Sequence, residues 1–151
     1  MAVNYTRIYL HIIFAAEGKT GLIRKSWKYD LFRYISAHTK KKGHRLITIN
    51  STPDRLHLLI ALRPHQRISD FVQEIKSSSS RWINTRKLVK GRFAWQPGYG
   101  VFSCSHSQLD EISKYINNRE QKQSKLSLKE ECLRAAGKYN IKDDNPFLFE
   151  N

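Results

Sequence analysis

Apolar residues recur along this chain with two periods, and the switching between them predicts most of its architecture. Tyr5 to Ala15 is dense in β-branched and aromatic side chains and reads as a first strand. From Ser26, a good N-cap, the residues Trp27, Leu31, Tyr34, Ile35 and His38 fall on one helical stripe. That helix is expected to stop at Gly43, after Lys40, Lys41 and Lys42. His44 to Ser51 and Leu56 to Leu62 read as two strands joined by a turn at Pro53-Asp54, a hairpin. A second helix spans about Ser69 to Leu88, with Phe71, Val72, Ile75, Ser79, Trp82 and Ile83 facing inward. Gly91 to Ser105 is a Gly/Pro loop turning into a fourth strand. A third helix begins near Ser107 with Leu109, Ile112 and Ile116 on its apolar face. A short fourth helix, about Ser127 to Ala136, ends at Gly137, and the tail from Asp143 to Asn151 is expected to be irregular.

The order β-α-β-β-α-β-α predicts an α+β fold of ferredoxin-like or RRM-like plan. Its antiparallel sheet carries helices packed on one face, and an added C-terminal helix carries Tyr115. A chain of 151 residues fits one domain, with a core at about 5–125 and a C-terminal helix and tail at about 126–151. No repeat or linker divides it.

Alternation along the third strand puts Leu56, Leu58, Ile60 and Leu62 on the core face and Arg55, His57 and Leu59 on the other. A lone imidazole there has two readings. It is a hydrogen-bonding surface residue, or it is a ligand to a cation that polarises a phosphate. Tyr115 lies at the edge of the stripe set by Leu109, Ile112 and Ile116, with Arg119 one turn on and Glu111 one turn back. It reads either as an ordinary boundary aromatic or as a nucleophile able to hold a DNA end as a phosphotyrosine.

Charge narrows the partner. Lys and Arg number 27 against 13 acidic residues, a net of +14, which favours polyanions through counterion release. The basic residues cluster at Lys40 to Lys42, at Lys76 and Arg81, at Arg86-Lys87 with Lys90 and Arg92, and at Lys114, Arg119, Lys122 and Lys125. Trp82 reads as core by its helical spacing. Trp95 and Tyr99, in the Gly/Pro loop, are candidates to stack unpaired bases. The hydroxyls of Ser77 to Ser80 either touch phosphates or pack a close helix–sheet contact. No apolar run approaches the roughly 20 residues that span a bilayer, and the first residues lack a signal-peptide pattern. Cys104 and Cys132 read as free thiols of a cytoplasmic protein.

Several uncommon strings occur in order along nearly the whole chain. They are Tyr5-Thr6-Arg7 with His11-Ile12-Ile13-Phe14, Pro53-Asp54-Arg55-Leu56-His57-Leu58-Leu59, and Lys76 to Asn84. Trp95-Gln96-Pro97-Gly98-Tyr99-Gly100-Val101-Phe102-Ser103, Ser107-Gln108-Leu109 and Tyr115-Ile116-Asn117-Asn118 follow. Together they resemble the single-tyrosine HUH transposases of small insertion sequences, and are similar to the REP-associated tyrosine transposases. The resemblance implies a homodimer with active sites shared between protomers, acting on single-stranded DNA hairpins with divalent magnesium or manganese. It implies Tyr115 as nucleophile and His57 as the second histidine of a metal pair. Arg55 stands where the family has the first histidine, and Arg119 where it usually has a glutamine. An arginine cannot ligate a cation, but Arg55 and Arg119 can cradle a phosphate, alongside Lys76, Arg81, Lys122, Trp95 and Tyr99 as DNA contacts. Three functions stay open: a transposase that cuts and rejoins DNA through a 5′-phosphotyrosine, a DNA-binding relative without cleavage, and an RNA-binding module of RRM type.

Overall fold

Four strands hydrogen-bond into a single antiparallel sheet in the computed structural model, which describes residues 2–18, 22–119 and 126–138. In chain order the elements are β1 (Tyr9–Ala15), α1 (Lys28–Lys41), β2 (Arg45–Thr52), β3 (Arg55–Ala61), α2 (Ile68–Thr85), β4 (Gly100–Cys104), α3 (Leu109–Asn117) and α4 (Leu128–Lys138). The strand order is β2-β3-β1-β4, and each neighbouring pair runs antiparallel. That is the ferredoxin-like plan.

The two central strands explain how the site is placed. β1 and β3 are buried along almost their whole length, so each has two covered faces. Leu10, Ile12 and Phe14 of β1 and Leu56, Leu58 and Ile60 of β3 pack with Leu31 and Ile35 of α1 and Phe71 and Ile75 of α2. Burying each such side chain is worth roughly 1.5–3 kcal/mol, and this cluster holds the domain together. Ile13 and Leu59 point the other way and meet Ile112 and Ile116 of α3 and Ala135 of α4 in a smaller cluster. Helices α1 and α2 therefore take one face, and the tyrosine-bearing α3 takes the other, with α4 beside it.

Local chemistry moves several element ends from their sequence-derived positions. β1 begins at Tyr9, because residues 2–7 are exposed and outside the ladder. α1 begins at Lys28 without a side-chain cap. Ser26 instead lies inside a turn closed on the Arg24 carbonyl by the Trp27 and Lys28 amides, at 3.1 and 3.0 Å. α2 ends at Thr85, where Lys87 adopts a left-handed φ of 53° and the Leu88 amide donates back to the Ile83 carbonyl. α3 is preceded by a 3₁₀ turn at His106–Gln108, closed by a capping box between Ser105 and Gln108. α4 continues through Gly137 to Lys138.

Candidate active site

Strand register carries the first part of the site. Ile13 of β1 pairs with His57 and Ala15 with Arg55, so His11, two residues before Ile13, lies on the same face one step along. On the other side Asn50 of β2 pairs with His57. Its amide donates to the Ile116 carbonyl at 2.8 Å, and Thr48 Oγ1 donates to Asn117 Oδ1 at 2.7 Å. The first bond satisfies an open carbonyl at the C-terminal end of α3, and the two together pin the helix to the sheet. Tyr115 is thereby presented edge-on to both imidazoles, its ring 6.0 Å from each of those of His11 and His57.

The second part comes from α4. Glu131 is 1% exposed and its carboxylate lies at the centre of the cluster. Arg55 Nη1 donates to Oε2 at 2.5 Å, while Arg55 Nη2 donates to the Leu126 carbonyl. Oε1 has His57 Nε2 at 3.1 Å, Arg119 Nη2 at 3.3 Å and the Tyr115 hydroxyl at 3.4 Å. The His57 contact is close but too bent to count as a hydrogen bond. The Arg119 guanidinium also lies over the Tyr115 ring, 5.0 Å from its centroid. Behind these groups, His57 Nδ1 shares a hydrogen bond with His11 Nε2 at 3.1 Å. A carboxylate beside Nε2 favours the tautomer protonated there, which leaves Nδ1 to accept from His11.

The protonation states follow from these neighbours. Burial alone would raise the Glu131 carboxyl, but His57 and Arg55 overcome it and hold the group at about 2. Burial, then the adjacent His57, brings His11 down to about 3, so it is a neutral imidazole. Burial, followed by the Glu131 charge, pushes the Tyr115 phenol above its ordinary range. The cluster at neutral pH is thus two guanidiniums around one carboxylate, with a phenol that keeps its proton.

That donor set does not fit the divalent metal implied by resemblance. Among the described residues no three histidine, cysteine, aspartate or glutamate side chains converge as a ligand set. His57 is bonded to His11 at Nδ1 and has Glu131 against Nε2, and any cation beside Glu131 would stand against two guanidiniums. Arg55 and Arg119 do converge, but on a carboxylate.

The remaining expected residues lie elsewhere. Trp95 is buried, not exposed: the edges and faces of Phe14 and Phe93 meet its ring at 4.7 and 4.8 Å, and its indole donates to Ser79 Oγ at 2.9 Å. A ring enclosed this way has no face for a base. The segment is a loop, as expected, but Gln96 and Glu17 hydrogen-bond it to the end of β1 and draw Trp95 into the core. Tyr99 is exposed, as expected. Lys76 donates to the carbonyls of Gln96 and Gly98 at 2.9 and 2.5 Å and so ties down the loop that carries Tyr99. Arg81 is exposed on a groove with Lys87 and Arg92, on the sheet face away from Tyr115. The serine hydroxyls from Ser77 to Ser80 donate to carbonyls of their own helix, and Trp82 is half-buried against Tyr34 with Arg86 over its ring. Lys122 falls outside the described residues. Sequence reasoning missed two members of the cluster, His11 and Glu131.

Comparison with known proteins agrees with this fold. Residues 4–119 match the family described as Transposase IS200 like. Over 120 residues the chain is 30% identical to the ISDra2 transposase TnpA of Deinococcus radiodurans, an alignment covering 76% of this chain and 79% of that protein. In shape it is similar to a crystal structure described as a candidate transposase of Deinococcus radiodurans R1. The TM-score is 0.63 at 24% identity, over 82% of this chain and 98% of that one. It is also similar to a REP-associated tyrosine transposase bound to a REP hairpin, with a TM-score of 0.57 at 12% identity, over 77% and 68% of the two chains. At those identities the two structural likenesses speak for the fold alone.

Proposed function

The chain belongs to the IS200-like transposase family, and from that premise we propose that it binds single-stranded DNA hairpins and cuts and rejoins one strand through Tyr115. The observation that carries this reading is the meeting, within one chain, of the Tyr115 hydroxyl with His57, Arg55 and Arg119. In the step we assign, the phenol oxygen attacks a backbone phosphorus. The Tyr115 Oη–P bond forms, the P–O3′ bond breaks, and a 3′-hydroxyl leaves while the 5′ end stays as a phosphotyrosine. The phenol gives up its proton to solvent as the new bond forms, and the departing O3′ takes one up. The two guanidiniums neutralise the charge that builds on the phosphoryl oxygens. Reversal with a different 3′-hydroxyl rejoins the strand. Because one chain already brings Tyr115 and His57 together, we read the dimer of the resemblance as one in which each protomer keeps its own pair.

The test incubates the full chain with hairpin-bearing single strands, with and without magnesium or manganese, and looks for a covalent protein–DNA adduct. An adduct abolished in Tyr115→Phe is expected. DNA binding with no adduct under any condition would leave a DNA-binding relative and end the cleavage reading, as would an adduct that survives in Tyr115→Phe.

A further inference from the structure

Glu131 is the centre of the site yet has no place in the chemistry above. A role as general base fails on strength: a carboxyl held at about 2 by its partners is a poor acceptor for a phenolic proton. It is better explained by what its neighbours are built to bind. We propose that the space between Arg55, His57, Arg119 and Tyr115 is the seat of a DNA phosphodiester, and that the Glu131 carboxylate fills it as a resident stand-in which the phosphate displaces together with α4. The inference deepens the strand-cleavage reading and rests on it for the identity of the anion.

Charge and shape both suit the exchange. A carboxylate and a phosphodiester each carry a single negative charge and offer two terminal oxygens to donors. The guanidinium of Arg55 and that of Arg119 reach different oxygens of Glu131, at 2.5 and 3.3 Å. Two guanidiniums facing one anion keep the pocket cationic after the swap, so the phosphate enters without an unbalanced acid left behind. The incumbent also keeps the nucleophile idle. Its oxygen lies 3.4 Å from the Tyr115 hydroxyl, and its charge opposes phenolate formation. The phenol is thus released to react in the same motion that admits the substrate.

The helix that carries Glu131 is lightly anchored. Among the described residues of α4, Ala135 is the buried apolar side chain, Leu128 and Cys132 are half-buried, and Leu133 is exposed. A helix with so little apolar burial opens at low free energy, and much of its docking comes from the ion cluster itself. α3, by contrast, is fixed to β2 by Asn50 and Thr48. The element that moves is the one without the tyrosine.

A disulfide can hold α4 in place. A Cβ added at Gly100 of β4 would stand 3.8 Å from Cys132 Cβ, the usual spacing of a cystine, once the Cys132 thiol turns to meet it. Gly100→Cys is made in the full chain with Cys104→Ser to prevent mispairing, and bridge formation is read by mass spectrometry. Binding of a labelled single-stranded oligonucleotide is measured at salt that suppresses non-specific contacts, together with adduct formation. The bridged form is expected to bind about tenfold or more weakly than the reduced form, with affinity restored by reductant. Glu131→Gln, which keeps the shape and removes the charge, is expected to bind tighter by a similar factor while folding less stably. A merely structural glutamate would not give those opposed changes. Equal affinity of bridged and reduced protein overturns the proposal. Should no bridge form, an affinity of Glu131→Gln that fails to rise overturns it. Equal adduct yield in both redox states sinks the stand-in and leaves cleavage standing. Redox-dependent binding with no adduct in any form does the reverse.

Discussion

Replacing Glu131 by glutamine isolates one charge in a site where almost nothing else changes. The side chain keeps its volume and an acceptor oxygen, and the neutral amide imitates the protonated acid. The carboxyl is held at about 2 in the folded protein against an ordinary value of 4.5. At 1.36 kcal/mol for each pH unit, the native state gains about 3 kcal/mol from the ionised form. An independent route gives a similar size, since removing one partner of a buried ion pair costs roughly 3–5 kcal/mol. The sign is fixed by the direction of the change. Because the folded value lies below the unfolded one, the stabilisation is full above about 4.5 and drains away as pH falls towards about 2. Urea unfolding of wild type and Glu131→Gln in a series of buffers reads this directly. A gap of about 3 kcal/mol at neutral pH is expected, closing on acidification. A gap below about 1 kcal/mol at neutral pH, or one that stays constant as pH falls, would refute the description of Glu131 as a charge paired with Arg55 and His57.

Two further outcomes test the placement of side chains outside the cluster. Trp95→Phe removes the bond to Ser79 and some buried ring, so urea unfolding is expected to show a loss of roughly 1–3 kcal/mol with no change in affinity for single-stranded DNA. A drop in affinity with unchanged stability would return Trp95 to the DNA surface. Arg81→Ala, on the exposed groove, is expected to reduce the slope of log affinity against log salt by about 1 without altering the yield of any tyrosine adduct. An unchanged slope would place DNA elsewhere.

The fold was legible because its signals are local. Alternation in β3 separated Leu56, Leu58 and Ile60 from Arg55 and His57, and those two sets do face opposite layers. The limit of that reading was the assumption that a polar face is a wet one. Arg55 is 3% exposed and His57 fully buried, because α3 and α4 supply partners that no strand pattern contains. Glu131 sits beside Lys129 and Glu130, which are exposed, and so looks like one more charge on a solvated helix. Its partner Arg55 is 76 residues away, and nothing in either neighbourhood announces the pairing. His11 was within reach. It shares a period-two face with Ile13, and the β1–β3 pairing of a ferredoxin-like sheet sets that face beside His57. Trp95 shows the opposite error, since Gly and Pro nearby marked a loop but not the depth at which the loop runs.

Both layers of this sheet are roofed, and that decides between ways of meeting a nucleic acid. RRM-type recognition spreads several bases flat across open strands. Here α1 and α2 close one side, while the Ile13–Leu59 side lies under Ile112, Ile116 and Ala135. While α4 stays docked, the central strands offer a polynucleotide no open platform, and under the function proposed above a backbone linkage reaches the phenol from the rim. Under that proposal the footprint at Tyr115 is short, and grip and sequence choice fall to surfaces some distance from it.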